Sequence, residues 1–176
     1  MKYAHKINFF FDLSKDIQIG EKAGEYSKIF NTYNVNNFVD MVSILPQDLQ
    51  SKKVSFYFAR VNFDGEIKEG PPHTHLKDSC LINVYLKTNG EETFFYEGEE
   101  VDASSETNDS TAYHRVLSLD YLQKAESFIA QDNEAWLLKT SQPHSLASTT
   151  KSGTREILQI YFDEDSYDEI VSLLES

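Results

Sequence analysis

The chain has 176 residues, a formal net charge of -13, and 12 Phe and 10 Tyr. That length suits one domain able to bury a sizeable core, while the charge repels phosphate backbones and anionic headgroups, which argues against nucleic acid and membrane as partners. Only 4 Pro and 7 Gly speak against disorder or a repeat array, and the single Cys80 lies in an apolar run where it reads as a buried thiol without a disulfide or redox role.

Residues 5–13 alternate and are rich in Phe, which predicts a strand. The apolar run from Ile7 to Phe11 is short and closed by Asp12, and no small-residue cleavage site follows, so it reads as neither signal peptide nor membrane span. A cytoplasmic protein is expected. Ser14 can cap a helix, and Ile17, Ala23, Tyr26, Ile29 and Phe30 are spaced for one broken helix over about residues 16–32, weakened by Gly20 and Gly24. A second short helix over 38–45 ends at Pro46. Residues 53–63 form a strand, Asp64-Gly65 a turn, and Gly70-Pro71-Pro72 delivers the chain to His73.

Another strand covers 79–88, and Asn89-Gly90 predicts a tight hairpin that pairs residues 93–96 with it. Residues 97–112 are acidic and Ser/Thr-rich, as in a solvated loop or lid. Residues 116–122 suit strand or helix equally; 127–130 and 135–140 are strands around an Asp132-Asn133 turn. A Ser/Thr/Gly loop over 148–154 precedes the last strand, 155–162. Tyr167, Ile170, Val171 and Leu174 then mark a helix with acids in its first turns. The expected fold is mainly β (α+β): a double-stranded β-helix, jelly-roll or cupin-like, with N- and C-terminal helices outside. It is one domain over 1–176, with a strand and packing helices in 1–52, the barrel in 53–162 and the closing helix in 163–176.

The chemistry centres on His73-Thr74-His75. In an extended chain, side chains at i and i+2 leave the same face, so both imidazoles can address one ion. A third ligand must come from His5, His114 or His144. His144, in Pro143-His144 after an apolar strand, is the best placed, so His73, His75 and His144 are the expected metal set. Fe(II) is the leading candidate ion, with positions left open for other ligands. Arg155 opens the last strand; pointing inward, it would be a fixed cation for a carboxylate. Asn83 and Tyr85 share one face of their strand and are candidate cavity residues. Trp136 reads as core, and Lys139 as solvent-facing.

In order and spacing these motifs resemble the small phage- and bacterial-type Fe(II)- and 2-oxoglutarate-dependent oxygenases. The matching residues are His73; Cys80, Asn83 and Leu86; Phe95-Tyr96; Leu138; Thr140-Ser141; Pro143-His144-Ser145-Leu146; and Arg155-Glu156-Ile157-Leu158, a likeness over roughly residues 53–175. The resemblance implies an oxygenase with 2-oxoglutarate as cosubstrate, the metal chelating it and Arg155 taking its distal carboxylate. The chain departs from that family where His75 stands in place of the usual carboxylate ligand; Asp78 is the nearest acid. Three-histidine sites occur in cupin dioxygenases, which share the barrel and the His-x-His pair, and these are the alternative. A third is a non-catalytic barrel with a degenerate site. The substrate, small molecule or protein, stays open, as does a homodimer.

Overall fold

The run from Cys80 to Lys87 is apolar on both faces, the pattern of a strand covered on both sides. In the computed structural model, which describes residues 1–8, 11, 17–25, 30–63, 69–75, 79–103, 114–147 and 152–176, this run is buried from Cys80 to Tyr85. The described strands are β1 (Ala4–Ile7), β2 (Ile19–Glu25), β3 (Phe30–Val35), β4 (Val54–Phe63), β5 (His73–His75), β6 (Cys80–Lys87), β7 (Glu92–Gly98), β8 (His114–Val116), β9 (Leu122–Ile129), β10 (Ala135–Leu138), β11 (His144–Ala147) and β12 (Gly153–Phe162). The helices are α1 (Phe38–Val42) and α2 (Tyr167–Glu175), with 3-10 turns at Gln47–Leu49 and Leu119–Tyr121.

Two antiparallel sheets face each other. One runs β1-β10-β6-β12-β4-β3-β2, the other β8-β5-β11-β7-β9. Strand β12 pairs with β4 along its whole length and with β6 on its other side. The fold is a double-stranded β-helix with helices outside, as the residue pattern predicts.

The seven-stranded sheet uses its two faces differently because side chains alternate along each strand. Ile82, Val84, Leu158, Ile160 and Phe162 pack outward with Met41 of α1 and Tyr167 and Ile170 of α2. Leu81, Tyr85, Trp136 and Ile157 face inward with Phe95 and Phe128. Helix α2 is fixed by a capping box: the Glu169 amide donates to the Ser166 hydroxyl at 3.3 Å, and the Ser166 amide donates to the Glu169 carboxylate at 2.8 Å.

Two expectations are corrected, and one left open is resolved. The broken helix over 16–32 is instead the strand pair β2 and β3, docked on β4 with Tyr33 opposite Phe58. The open edge of ten-residue β4 offers a ladder that outweighs a weak helical period already interrupted by Gly20 and Gly24. Asn89-Gly90 does not close a hairpin between β6 and β7. Both edges of β6 are taken, by β10 and β12, so Gly90, at φ 71°, turns the chain into the other sheet, where β7 pairs with β11 and β9. Residues 116–122, open between strand and helix, split into the end of β8, a 3-10 turn and the start of β9.

Part of the acidic stretch is anchored: Arg115 donates to the Glu100 carboxylate at 2.9 Å and to the Asp102 carboxylate. Ser14, Tyr26 and Ile29 of the expected helix, the Asp64-Gly65 turn, Asp78, residues 104–112 of the lid and 148–151 of the loop lie outside the described residues.

Ile160 is fully buried in central β12. Ile160→Ala is expected to lower unfolding free energy by about 2–5 kcal/mol, and Ser166→Ala by about 1 kcal/mol. Urea denaturation measures both; an Ile160→Ala effect under about 1 kcal/mol would remove β12 from the core.

Candidate metal centre

Only three residues long, β5 has a neighbour on each side. β11 sets His144 opposite His73, and β8 sets His114 opposite His75. Directly opposed residues of an antiparallel pair share a face, so His73 and His75 at i and i+2, and one cross-strand partner for each, bring four imidazoles to one side of the sheet. Ring centroids are 4.4 Å apart for His73 and His144, 4.6 Å for His75 and His114, 5.2 Å for His75 and His144, 5.4 Å for His73 and His114, and 5.7 Å for His73 and His75. Imidazoles sharing one ion at bond lengths of about 2.0–2.1 Å hold their centroids roughly 4.5–5 Å apart; the His73–His144 and His75–His114 pairs already stand near that spacing, and the other three pairs are wider. Ligand atoms of His73, His75 and His114 all lie within 4.8 Å of one another. Nitrogens sharing one ion at about 2.0–2.1 Å lie roughly 3–3.4 Å apart, so a contraction of up to about 1.5 Å brings three of them onto a metal, and the donor set fits a divalent ion.

Of the expected trio, His73 and His75 belong to the group whose ligand atoms approach one another; its third member is His114, and the His144 ring stands alongside, 4.4 Å from that of His73. His114 follows an acidic, Ser/Thr-rich stretch with no spacing motif; only the register of β8 against β5 reveals it. Two rings are oriented from behind: Nδ1 of His144 donates to the Gln142 carbonyl at 2.8 Å, and Nδ1 of His73 to the Pro71 carbonyl at 3.3 Å. A carbonyl only accepts, so those nitrogens carry the proton and Nε2 keeps the lone pair a metal needs. The carrier strands are held by His75 N donating to Thr140 O at 3.0 Å and Tyr96 N to Pro143 O at 2.9 Å.

Burial lowers every one of these histidines, because a charged ring loses solvation. His75 and His144 lie well below the usual 6.5, each lowered further by neighbouring rings, and His73 is lowered by burial against the Pro71 bond. His114 is lowered to about 4, first by burial and then by His73. All four are neutral at pH 7, the form that ligates.

The remaining candidates lie across the barrel. Alternation puts Asn83 and Tyr85 on the inner face of β6, with Arg155, Gln159 and Tyr161 on that of β12; Gln159 is opposite Asn83. Arg155 Nη2 donates to the Tyr85 hydroxyl at 3.3 Å, and its guanidinium lies over the Tyr85 ring at 4.9 Å. Arg155 does point inward as expected, but it is not available as a free cation. Its Nε sits 3.1 Å from Glu91 Oε1, and the two side chains are 5% and 2% exposed. Glu91, directly after the Asn89-Gly90 turn, went unmarked in the sequence because nothing local ties it to Arg155. Trp136 is core, stacked on Phe128 at 4.1 Å, and Lys139 lies half-buried over the Tyr167 ring at 5.9 Å. An open cleft of about 410 Å³ lined by Glu69, Pro72, Val116, Leu117 and Leu119 contains none of the histidines.

No family model matches the chain, and no curated protein sequence does. Solved structures similar to it include vicilin from hazelnut, Corylus avellana (13% identity, TM-score 0.44, covering 81% of this chain and 31% of that one). Others are the polyketide cyclase RemF from Streptomyces resistomycificus (12%, 0.40, 85% and 75%) and a mutant of Bacillus subtilis oxalate decarboxylase OxdC (14%, 0.42, 82% and 28%). The chain thus spans under a third of the vicilin and the decarboxylase. Nothing of their chemistry is carried over.

Two outcomes are expected. As pH falls below 6.5 the unfolded chain protonates its histidines while the folded one does not, so stability present above 6.5 is lost toward about 4. Each fully shielded ring contributes up to about 1.4 kcal/mol per pH unit. Metal-free protein should therefore lose more stability between pH 7 and pH 5 than a variant with Gln at positions 73, 75, 114 and 144; equal urea midpoint shifts would dissolve the cluster. Second, Arg155→Met strands a buried carboxylate and should cost about 3–5 kcal/mol, most of it recovered by adding Glu91→Leu. A double variant no more stable than the single would mean the pair is not coupled.

Proposed function

We propose that this chain is a metal-dependent enzyme of the double-stranded β-helix type, holding one divalent first-row transition ion through His73, His75 and His114 with His144 alongside. The observation that carries the reading is the mutual 4.8 Å approach of ligand atoms from two adjacent strands. Four neutral imidazoles and no described carboxylate in the cluster leave the ion its full charge of two. Such an ion, when bound, acidifies a coordinated water or polarises a substrate oxygen. Neutral nitrogen ligands suit Zn(II), Ni(II) or Cu(II) at least as well as Fe(II).

Among the chemistries open to this donor set, a three-histidine dioxygenase is the version that uses oxygen, with Fe(II) as its ion. The 2-oxoglutarate version is disfavoured, since it needs Arg155 for a distal carboxylate and Glu91 already occupies that guanidinium. The side chains contribute binding and orientation. Gln142 and Pro71 carbonyls hold the His144 and His73 rings, and Tyr161 lies stacked beside His75 at 6.0 Å.

Metal-free protein loaded in turn with Zn(II), Co(II) and Fe(II) should retain about one equivalent after desalting. His75→Ala and His114→Ala should each weaken uptake by at least about tenfold, as expected for a lost ligand. The Co(II) visible spectrum reports coordination number, intense for a four-coordinate site and weak for six. Parent protein that retains no ion, or His114→Ala with unchanged affinity, would overturn the assignment. Oxygen consumption by the Fe(II) form over added small-molecule substrates then separates oxygenase from hydrolytic use.

A further inference from the structure

We propose that the interior row beside the histidines receives the uncharged, hydroxyl- or amide-bearing end of a small organic ligand whose other end reaches the metal. This rests on the metal-binding reading above and names the ligand class. The row begins where His75 stacks on Tyr161, which also meets Tyr57 of β4 edge-on at 5.5 Å. It continues by hydrogen bonds: the Tyr161 hydroxyl donates to Gln159 Oε1 at 3.5 Å, Gln159 Nε2 to Asn83 Oδ1 at 3.3 Å, and Asn83 Nδ2 to the Tyr85 hydroxyl at 3.5 Å. Arg155 and Glu91 close its far end.

Three properties of the row select the ligand. Every bond in it is 3.3–3.5 Å long, beyond the usual length of about 2.9 Å, so these groups can exchange weak partners for better ones on a ligand. Asn83, Gln159 and the phenols each both donate and accept, which complements hydroxyls and amides. Asn83, Gln159, Tyr85 and Arg155 are only 1–6% exposed, a burial at which an unpaired ionic guest is strongly disfavoured. Charge decides the rest. Arg155 is the one cation of the row, and a carboxylate approaching it meets Glu91 at the same guanidinium. Arg155 Nε and Glu91 Oε1 face each other without hydrogen-bond alignment to any group, leaving one donor and one acceptor of a pair whose charges cancel for a polar end to engage.

The test uses Co(II)-loaded full-length protein and two redox-inert probes that differ only at the distal end: N-oxalylglycine, a carboxylate there, and N-oxalylglycinamide, an amide. Both are titrated while the visible Co(II) band is followed. The amide should bind at least tenfold tighter to the parent. Asn83→Leu and Gln159→Leu should erase that preference while retaining Co(II). Glu91→Gln frees Arg155 and should reverse it. Because Glu91→Gln strands a buried cation and can unfold the chain, the charge-free double variant Glu91→Gln/Arg155→Gln serves beside it and should keep the amide preference. Tighter or equal binding of the carboxylate probe by the parent, or no band shift with either probe, overturns the inference while leaving metal binding intact. Parent protein that takes up no Co(II) fails earlier and sinks the metal reading itself.

Discussion

Everything at the candidate centre depends on the register of one three-residue strand. Because β5 is flanked on both sides, and because directly opposed residues in an antiparallel ladder share a face, His73 and His75 each acquire an imidazole neighbour. A slip of one residue in either ladder would send His114 or His144 to the opposite face. The short strand is secured from outside its own ladder: Gly70 and Leu117 donate to the Leu146 and Pro72 carbonyls at 2.8 Å, and His75 to Thr140. Backbone bonds from loops thus hold a geometry that three residues of pairing could not define alone.

The seven-stranded sheet supplies the stability that such a site needs. Its outer face is apolar and packed by α1 and α2, whereas its inner face combines Leu81, Trp136 and Ile157 with amides, phenols and the Arg155 end of an ion pair. Buried polar groups cost free energy unless paired. The interior cluster of Leu81, Phe95, Phe128, Trp136 and Ile157 shares its space with that row, and the outer cluster of Ile82, Val84, Leu158, Ile160 and Phe162 adds a second, wholly apolar core. Long β12 serves both roles by alternation, with Leu158 and Ile160 outward and Arg155, Gln159 and Tyr161 inward.

Electrostatics inside and outside the barrel differ in kind. A net charge of -13 attracts cations and repels anions at long range. Within the barrel the histidines are held neutral by burial, and the Glu91–Arg155 pair cancels locally. The described walls around the histidine cluster are therefore neutral, in contrast to the acidic surface.

The fold class was legible because strand periodicity and the long apolar runs at β4, β6 and β12 depend only on local alternation and burial on both faces. Likewise His73 and His75 announce themselves, since i and i+2 on a strand share a face whatever the tertiary context. Other features are properties of pairing between distant segments, which no local pattern encodes. β2 and β3 became strands through the free edge of β4, and Asn89-Gly90 became a crossover because β6 had no free edge. His114 entered the cluster through the β5–β8 register, 39 positions of chain beyond the residue it faces (114 less 75). Glu91 took Arg155 from 64 positions away (155 less 91), turning the expected free cation into half of a neutral pair. The sequence by itself determined which side chains could do chemistry; only the tertiary structure decided which of them meet, because ligand geometry and charge compensation are set by distances in space.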